Sequence, residues 1–87
     1  MAHVFLPPSL HALTGKVTQI DVAGATVGEV IDSLEQRFPG VKARLVTDDL
    51  LRLGLVAGID AKVKGRSLAQ SVNPESELHF LTSLSGG

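Results

Sequence analysis

The sequence contains no cysteine, no tryptophan and no tyrosine. Without cysteine the chain has no disulfide, no thiolate metal ligand and no cysteine nucleophile of its own. Its three aromatic residues are all phenylalanine, and no run of lysine or arginine is interleaved with them. The formal net charge is −1, with both signs mixed along the chain. These features do not favour a nucleic-acid groove, and we expect no nucleic-acid partner.

Long apolar stretches are also missing. The opening "MAHVFLPPSL" has no charged leader and is interrupted by Pro7-Pro8, which is unlike a signal peptide. No stretch approaches the length of about 20 apolar residues that a membrane span requires. We therefore expect a cytoplasmic protein without a membrane partner.

The clearest element that is present is an amphipathic helix in "ATVGEVIDSLEQRFPG". Thr26 and Glu29 have capping-box spacing, in which each side chain is expected to accept a hydrogen bond from the backbone N–H of the other residue. Pro39 disfavours the helical conformation of the residue before it, so the helix must end there. The pattern predicts a helix over Val27–Arg37, with a buried face made of Val27, Val30, Ile31, Leu34 and Phe38.

Several segments are predicted to be strands. "HVFL" and the alternating "KVTQIDV" predict an N-terminal hairpin, with "SLHALTG" as the connection. "VKARLVTDD" predicts a helical turn that leads into a loop. "LLRLGLV" predicts a buried strand that turns at "AGID", "AKVKG" a short edge strand, and "RSLAQSVNPESE" a loop. "ELHFLTS" predicts the last strand, with Leu78 and Phe80 facing inward and His79 and Leu81 facing outward.

This order of elements predicts an α+β domain in which a mixed sheet packs on one main helix. The first and last strands would then lie parallel at the sheet centre, which is the β-grasp, or ubiquitin-like, arrangement. We expect residues 1–81 to form this domain and residues 82–87 to form a flexible tail that leaves from a central strand.

Other polar residues do not form a recognisable catalytic or metal site. The three histidines lack metal-ligand spacing, although His3 and His79 are expected to be cross-strand neighbours on the outward face. Asp48-Asp49 is interpreted as a solvated turn. Nothing resembles a nucleophile elbow, a catalytic triad or a phosphate-binding loop, so no metal site and no catalytic residue are predicted.

The sequence ends in "LSGG". Gly86 and Gly87 lack a Cβ, so a backbone made of them can pass through a channel too narrow for side chains. The α-carboxylate of Gly87 is a poor acyl donor, but attack on the α-phosphate of ATP would convert it into an acyl adenylate with a good leaving group. That chemistry would belong to the enzyme that holds ATP.

Three segments resemble the MoaD/ThiS family of ubiquitin-like sulfur carriers. They are the opening "VFLPPSLHALTG", the helix region "ATVGEVIDSLEQRFPGVKARL" and the end "ESELHFLTSLSGG". The resemblance implies a carrier that is not itself an enzyme and binds no cofactor. A ubiquitin-activating-type adenylating enzyme would consume ATP to activate Gly87, a sulfur donor would convert it to a thiocarboxylate, and a biosynthetic enzyme would accept the sulfur.

The same resemblance assigns roles to individual positions. Gly86, Ser85 and Leu84 would thread into the partner behind Gly87, and the outward residues Phe5 and Leu81 would be docking contacts. Phe5 and Leu81 are also compatible with being ordinary, partly buried sheet residues. Two other functions remain open: a ubiquitin-like modifier joined to lysines through the same terminus, and a structural interaction domain whose glycines are incidental. The pathway that receives the sulfur is equally open.

Overall fold

Five strands form one mixed sheet in the computed structural model, which describes residues 1–82. The strand order across the sheet is β2-β1-β7-β5-β6. Two further strands, β3 and β4, form a small hairpin that is separate from this sheet. In chain order the strands are β1 (Ala2–Phe5), β2 (Gln19–Val22), β3 (Val46–Thr47), β4 (Leu50–Leu51), β5 (Leu55–Ile59), β6 (Lys62–Gly65) and β7 (Glu77–Thr82).

The first and last strands lie side by side and run parallel at the middle of the sheet. His3 pairs with Glu77, and Phe5 with His79. β1 also pairs with β2 as an antiparallel hairpin, while β5 pairs antiparallel with both β7 and β6. This is the predicted β-grasp architecture, and the α+β fold class is confirmed.

One long helix covers the inner face of the sheet. The helices are α1 (His11–Thr14), α2 (Val27–Arg37) and α3 (Val41–Leu45), and a single 3₁₀ turn (Pro8–Leu10) precedes α1. The bounds of α2 agree with those predicted from the capping and apolar spacing. Within residues 1–82, no helix has both the length and the apolar character needed to cross a membrane.

The start of α2 differs from the predicted capping box in one hydrogen bond. The Thr26 hydroxyl accepts the Glu29 N–H at 3.1 Å, as expected. The Glu29 carboxylate, however, accepts the N–H of Ala25 at 2.9 Å, not that of Thr26. The cap therefore reaches one residue further back and fixes the chain just before the helix begins.

The core lies between α2 and the inward-facing residues of the sheet. In β7 the alternation holds as predicted, because Leu78 and Phe80 are buried whereas Leu81 is exposed. The other buried apolar residues come from the strands, α2, α3 and the connections, and include Val4, Val22, Ile31, Leu34, Leu45, Leu51 and Ile59.

Two segments have a structure different from the predicted one. The segment "SLHALTG" forms part of the 3₁₀ turn and α1, not an irregular link. The prediction of one strand over "LLRLGLV" was wrong, because the chain pairs β4 with β3, turns, and then starts β5. Asp48 and Asp49 form the tight turn of that hairpin, with φ values of 54° and 63°, so their interpretation as an exposed turn is confirmed.

The turn between β5 and β6 lies later than predicted. "AGI" belongs to β5, and the turn is made by Asp60 and Ala61, with φ values of 51° and 70°. The Asp60 carboxylate accepts the Glu77 N–H at 3.0 Å and the Ser76 hydroxyl at 2.8 Å. These hydrogen bonds lower the pKa of Asp60, and the one from the Glu77 N–H has the larger effect. They also tie this turn to the beginning of the central strand β7.

Candidate functional site

The last described residue of the chain is at the end of the central strand. Thr82 is the final residue of β7 and pairs with Leu55 of β5. β7 lies between β1 and β5 in the sheet; β1 pairs with its first half, Glu77–His79, and β5 pairs with it as far as Thr82. The predicted site residues Leu84, Ser85, Gly86 and Gly87 lie outside the described residues.

Phe5, one of the two predicted docking residues, is half-buried on the outer face of the sheet. Its ring stacks on the imidazole of His79, with the ring centroids 4.1 Å apart and the planes 8° apart. The ring of His3 meets Phe5 edge-on, at a centroid distance of 4.9 Å. Parallel pairing of β1 with β7 produces this stack, because it sets Phe5 opposite His79.

Leu81, the second predicted docking residue, lies on the same outer face with 37% of its surface exposed. Its partner in β5 is Val56, and the neighbouring outward position of β5 is Gly58. A Cβ added to Gly58 would lie 2.8 Å from Leu81 Cδ1 and 3.4 Å from Leu81 Cγ. The Leu81 side chain thus occupies the space that the missing Gly58 side chain leaves free.

The outer face therefore presents a continuous group of Phe5, His79, Val56 and Leu81 near the end of β7, which we call the outer-face patch. Phe5 and Leu81 are brought onto one face, two strand positions apart in register. This placement is compatible with docking, since clustered apolar surface is typical of interaction sites. Their role as contacts to a partner stays a prediction.

His3 marks the polar edge of this patch. Its Nδ1 lies 2.6 Å from Asp21 Oδ1 and its Nε2 lies 2.8 Å from Gln19 Oε1, both on β2. Hydrogen bonding to Asp21, and then to Gln19, raises the pKa of the His3 imidazole. Because acceptor oxygens face both ring nitrogens, the protonated ring is favoured.

The expectation that His3 and His79 would be cross-strand neighbours was wrong. The register sets His3 opposite Glu77, and Phe5 lies between the two imidazoles. Among residues 1–82 no group of three or more His, Asp or Glu side chains is arranged to hold a metal ion.

Sequence reasoning missed Gly58 as part of this surface. "AGID" was interpreted as a turn, so its glycine was not placed on a strand face. The signal available was its spacing: counted from Val56, a strand through this segment puts Val56 and Gly58 on one face and Ala57 and Ile59 on the other. The buried state of Ala57 and Ile59 agrees with that alternation.

Comparison with known structures places the chain in a family. It matches CysO in the crystal structure of the Amycolatopsis orientalis BexX/CysO complex, with 31% sequence identity, full coverage of both chains and a TM-score of 0.86. The chain belongs to the MoaD/ThiS family of ubiquitin-like sulfur carriers. The resemblance of the three sequence segments to that family is thereby confirmed. No protein-family model and no curated protein matched the sequence.

Other members of the family share the fold at lower identity. SAMP1 from Haloferax volcanii is 27% identical over 99% of this chain and 98% of its own, with a TM-score of 0.71. CysO from Mycobacterium tuberculosis is 22% identical over 97% of this chain and 100% of its own, with a TM-score of 0.84. At that lower identity the agreement concerns the fold alone.

Proposed function

We propose that this protein is a sulfur carrier whose Gly87 carboxylate is adenylated and then converted to a thiocarboxylate. The observation that carries the proposal is the full-length match to CysO, combined with the diglycine at the end of the sequence. The position of β7 supports it further, because Thr82 belongs to the central strand of the sheet and is held there by its pairing with Leu55.

The proposed chemistry takes place in partner enzymes and requires no catalytic residue of this chain. A Gly87 carboxylate oxygen attacks the α-phosphorus of ATP, and pyrophosphate leaves. A persulfide sulfur of the donor then attacks the acyl carbon, and AMP leaves. A thiol cleaves the resulting S–S bond and releases the terminal C(O)S⁻ group. This thiocarboxylate is the nucleophile that transfers sulfur to a precursor bound by the accepting enzyme.

Docking in this scheme uses the outer-face patch. Phe5 and Leu81 contact the partner, while Leu84, Ser85 and Gly86 follow Gly87 into the active site. The absence of a Cβ at Gly86 permits a narrow approach to the reacting carbon. The complex of A. orientalis CysO with BexX supports an equivalent complex of this chain with a biosynthetic enzyme.

A second candidate function is that of a protein modifier. The 27% identity with H. volcanii SAMP1 favours it, since SAMP1 is a small archaeal modifier protein. The activation step would be the same, but a partner lysine would attack the adenylate and form an isopeptide bond. The two functions therefore differ in the nucleophile that displaces AMP.

Intact-mass measurement tests the proposal. The protein is incubated with ATP, a purified adenylating enzyme of the ubiquitin-activating type and a persulfide donor. The expected result is a mass gain equal to sulfur replacing one oxygen, lost when Gly87 is deleted. Formation of the adenylate without a gain of sulfur, followed by attachment of the protein to lysines of an added protein with release of AMP, would favour the modifier. No change with wild-type protein across a panel of such enzymes would contradict both functions.

A further inference from the structure

A cavity of about 370 Å³ lies beside the β3-β4 hairpin, and its lining residues are different from those of the outer-face patch. Its lining combines apolar and charged side chains, namely Thr47, Asp48, Leu50, Arg52, Leu53 and Arg66. Two of the large apolar residues that the protein exposes are here, with Leu50 39% and Leu53 85% exposed. We call this surface the arginine notch.

The backbone around the arginine notch is held by hydrogen bonds. The Leu51 N–H donates to the Arg66 carbonyl at 3.0 Å, and Arg66 Nε donates back to the Leu51 carbonyl at 2.9 Å. The Arg52 N–H donates to the Leu45 carbonyl at 2.9 Å. Both arginines thus project from segments that are fixed to their neighbours, which favours a preformed site.

Neither arginine of the notch takes part in an ion pair among residues 1–82. The ion pairs found there involve His3, Lys42 and His79, and none involves Arg52 or Arg66. The hydrogen bond from Arg66 uses Nε only, which leaves its two Nη groups available. Asp48 also lines the notch, so the lining carries two positive charges against one negative charge.

The notch borders the point from which the chain continues towards Gly87. The Leu55 N–H donates to the Arg52 carbonyl at 3.0 Å, and Leu55 pairs with Thr82. A protein that binds the residues after Thr82 must therefore approach this end of the sheet. An exposed apolar and cationic surface at that position is suited to contact the same protein.

We propose that the arginine notch binds an acidic, leucine-containing segment of the enzyme that processes the C-terminus. Carboxylates of that segment pair with the guanidinium groups of Arg52 and Arg66, and its apolar side chains pack on Leu50 and Leu53. Guanidinium groups match carboxylates with two parallel hydrogen bonds, which gives such contacts their directional specificity. This inference rests on the proposed function for the identity of the enzyme, but the binding chemistry of the notch does not.

A protein segment fits the notch better than a nucleic acid does. Single-stranded nucleic acids are bound by aromatic side chains that stack on bases, together with a cationic groove. The notch has no aromatic residue in its lining. Its two exposed leucines instead favour an apolar partner surface.

The first test needs no enzyme. The ¹⁵N-labelled protein is titrated with a capped peptide of alternating aspartate and leucine. Binding is followed by NMR, through the chemical shifts of the backbone amides. We expect the chemical-shift changes to concentrate at Leu50, Arg52, Leu53 and Arg66. A peptide with asparagine in place of aspartate should bind at least about tenfold more weakly, which is a loss of about 1.4 kcal/mol in binding free energy. Shifts spread over other surfaces, or equal binding of both peptides, would overturn the proposal. So would binding of a short oligonucleotide at the notch in preference to the acidic peptide.

The second test uses matched charge reversals in the full chain. Arg52→Glu/Arg66→Glu and Lys62→Glu/Lys64→Glu change the net charge equally, but only the first pair lies in the notch. With the adenylating enzyme that loads the wild-type protein, we expect the arginine variant to raise KM at least about tenfold with little change in kcat, and the lysine variant to behave like wild type. Equal effects of the two variants would overturn the proposal while leaving the carrier function intact. If no enzyme loads the wild type, the carrier function fails and the peptide titration alone decides on the notch.

Discussion

At the scale of single residues, short-range geometry decides what the outer face of the sheet can present. His3 bonds to two side chains of β2, Phe5 lies between His3 and His79, and Leu81 covers Gly58. Each of these contacts depends on strand register and not on residue type alone. A substitution at any of them should change the outer-face patch while leaving the inner core in place.

His3 gives the folded state a defined dependence on pH. Its bonds to Asp21 and Gln19 raise the folded-state pKa above the ordinary value of 6.5. The stabilisation is therefore fully present below pH 6.5 and is lost as the pH rises through the folded-state pKa. In urea unfolding at a series of pH values, the stability difference between wild type and His3→Gln should shrink as the pH rises through that range. A difference that grows with pH would contradict this assignment.

Gly58 controls the position of the Leu81 side chain. In Gly58→Ala the new methyl group would lie 2.8 Å from Leu81 Cδ1, so Leu81 must change rotamer. We expect the fold to be retained, with the free energy of unfolding lowered by about 0.5–1.5 kcal/mol because Leu81 leaves its preferred rotamer. Binding of the adenylating enzyme should weaken. The NMR chemical shifts of the Leu81 methyl groups report the change of rotamer, and the rate of adenylation reports the weaker binding.

A double-variant cycle provides the control for this prediction. Once Leu81→Ala has removed the side chain, adding Gly58→Ala should have no further effect on loading, because the contact between the two is gone. Additive losses would instead indicate that Gly58 acts on partner binding independently of Leu81.

At the scale of elements, the parts that the sequence predicted well carry their own local signals. The limits of α2 follow from Thr26 at its start and Pro39 beyond its end. The inward and outward faces of β7 follow from strict alternation around Leu78 and Phe80. Both patterns are properties of the segment itself, so no knowledge of its neighbours is needed.

Elements that depend on distant contacts were harder to predict. The segment "LLRLGLV" does not reveal that Leu51 pairs with Val46 while Leu55 pairs with Thr82, since a stretch rich in leucine and valine fits one strand equally well. The His3 contacts likewise depend on how β1 and β2 align. Of the candidate site, Phe5 and Leu81 were placed on the outer face from sequence, whereas Gly58 and the arginine notch required the structure.

The main helix should dominate stability at this scale. Leu34 is fully buried in α2 and packs in the core beneath the sheet. We expect Leu34→Ala to lower the free energy of unfolding by about 2–5 kcal/mol, because it removes buried methyl groups and leaves a cavity. Urea denaturation measures the change.

Gln36→Ala on the exposed side of the same helix is the matched control. It should change the free energy of unfolding by less than about 0.5 kcal/mol. Similar losses in the two variants would mean that the inward face of α2 does not provide the main packing contribution.

At the scale of the whole molecule, the proposed function divides the chain into a folded base and a reactive end. The core is formed by residues within 1–82, whereas the proposed chemistry is at Gly87. Stability and activity should therefore be separable by substitution.

Deletion of Gly86 and Gly87 tests this separation. We expect the free energy of unfolding to stay within about 0.5 kcal/mol of wild type, whereas adenylation should be lost completely. Thermal unfolding and the intact-mass assay, applied to the same preparation, measure the two properties. A truncated protein that unfolds more readily would show that the end of the chain also supports the fold.

The pairing of β1 with β7 also has a consequence for protein synthesis. His3 pairs with Glu77, so nearly the whole described chain separates the two partners of this central contact. Contacts between residues so distant in sequence form slowly, and this one cannot form before residues 77–82 have been made. During translation the ribosome releases β1 long before its partner strand exists. An interrupted chain therefore lacks the centre of its sheet, and we expect a nascent fragment to be recognised by proteases before an adenylating enzyme could engage it.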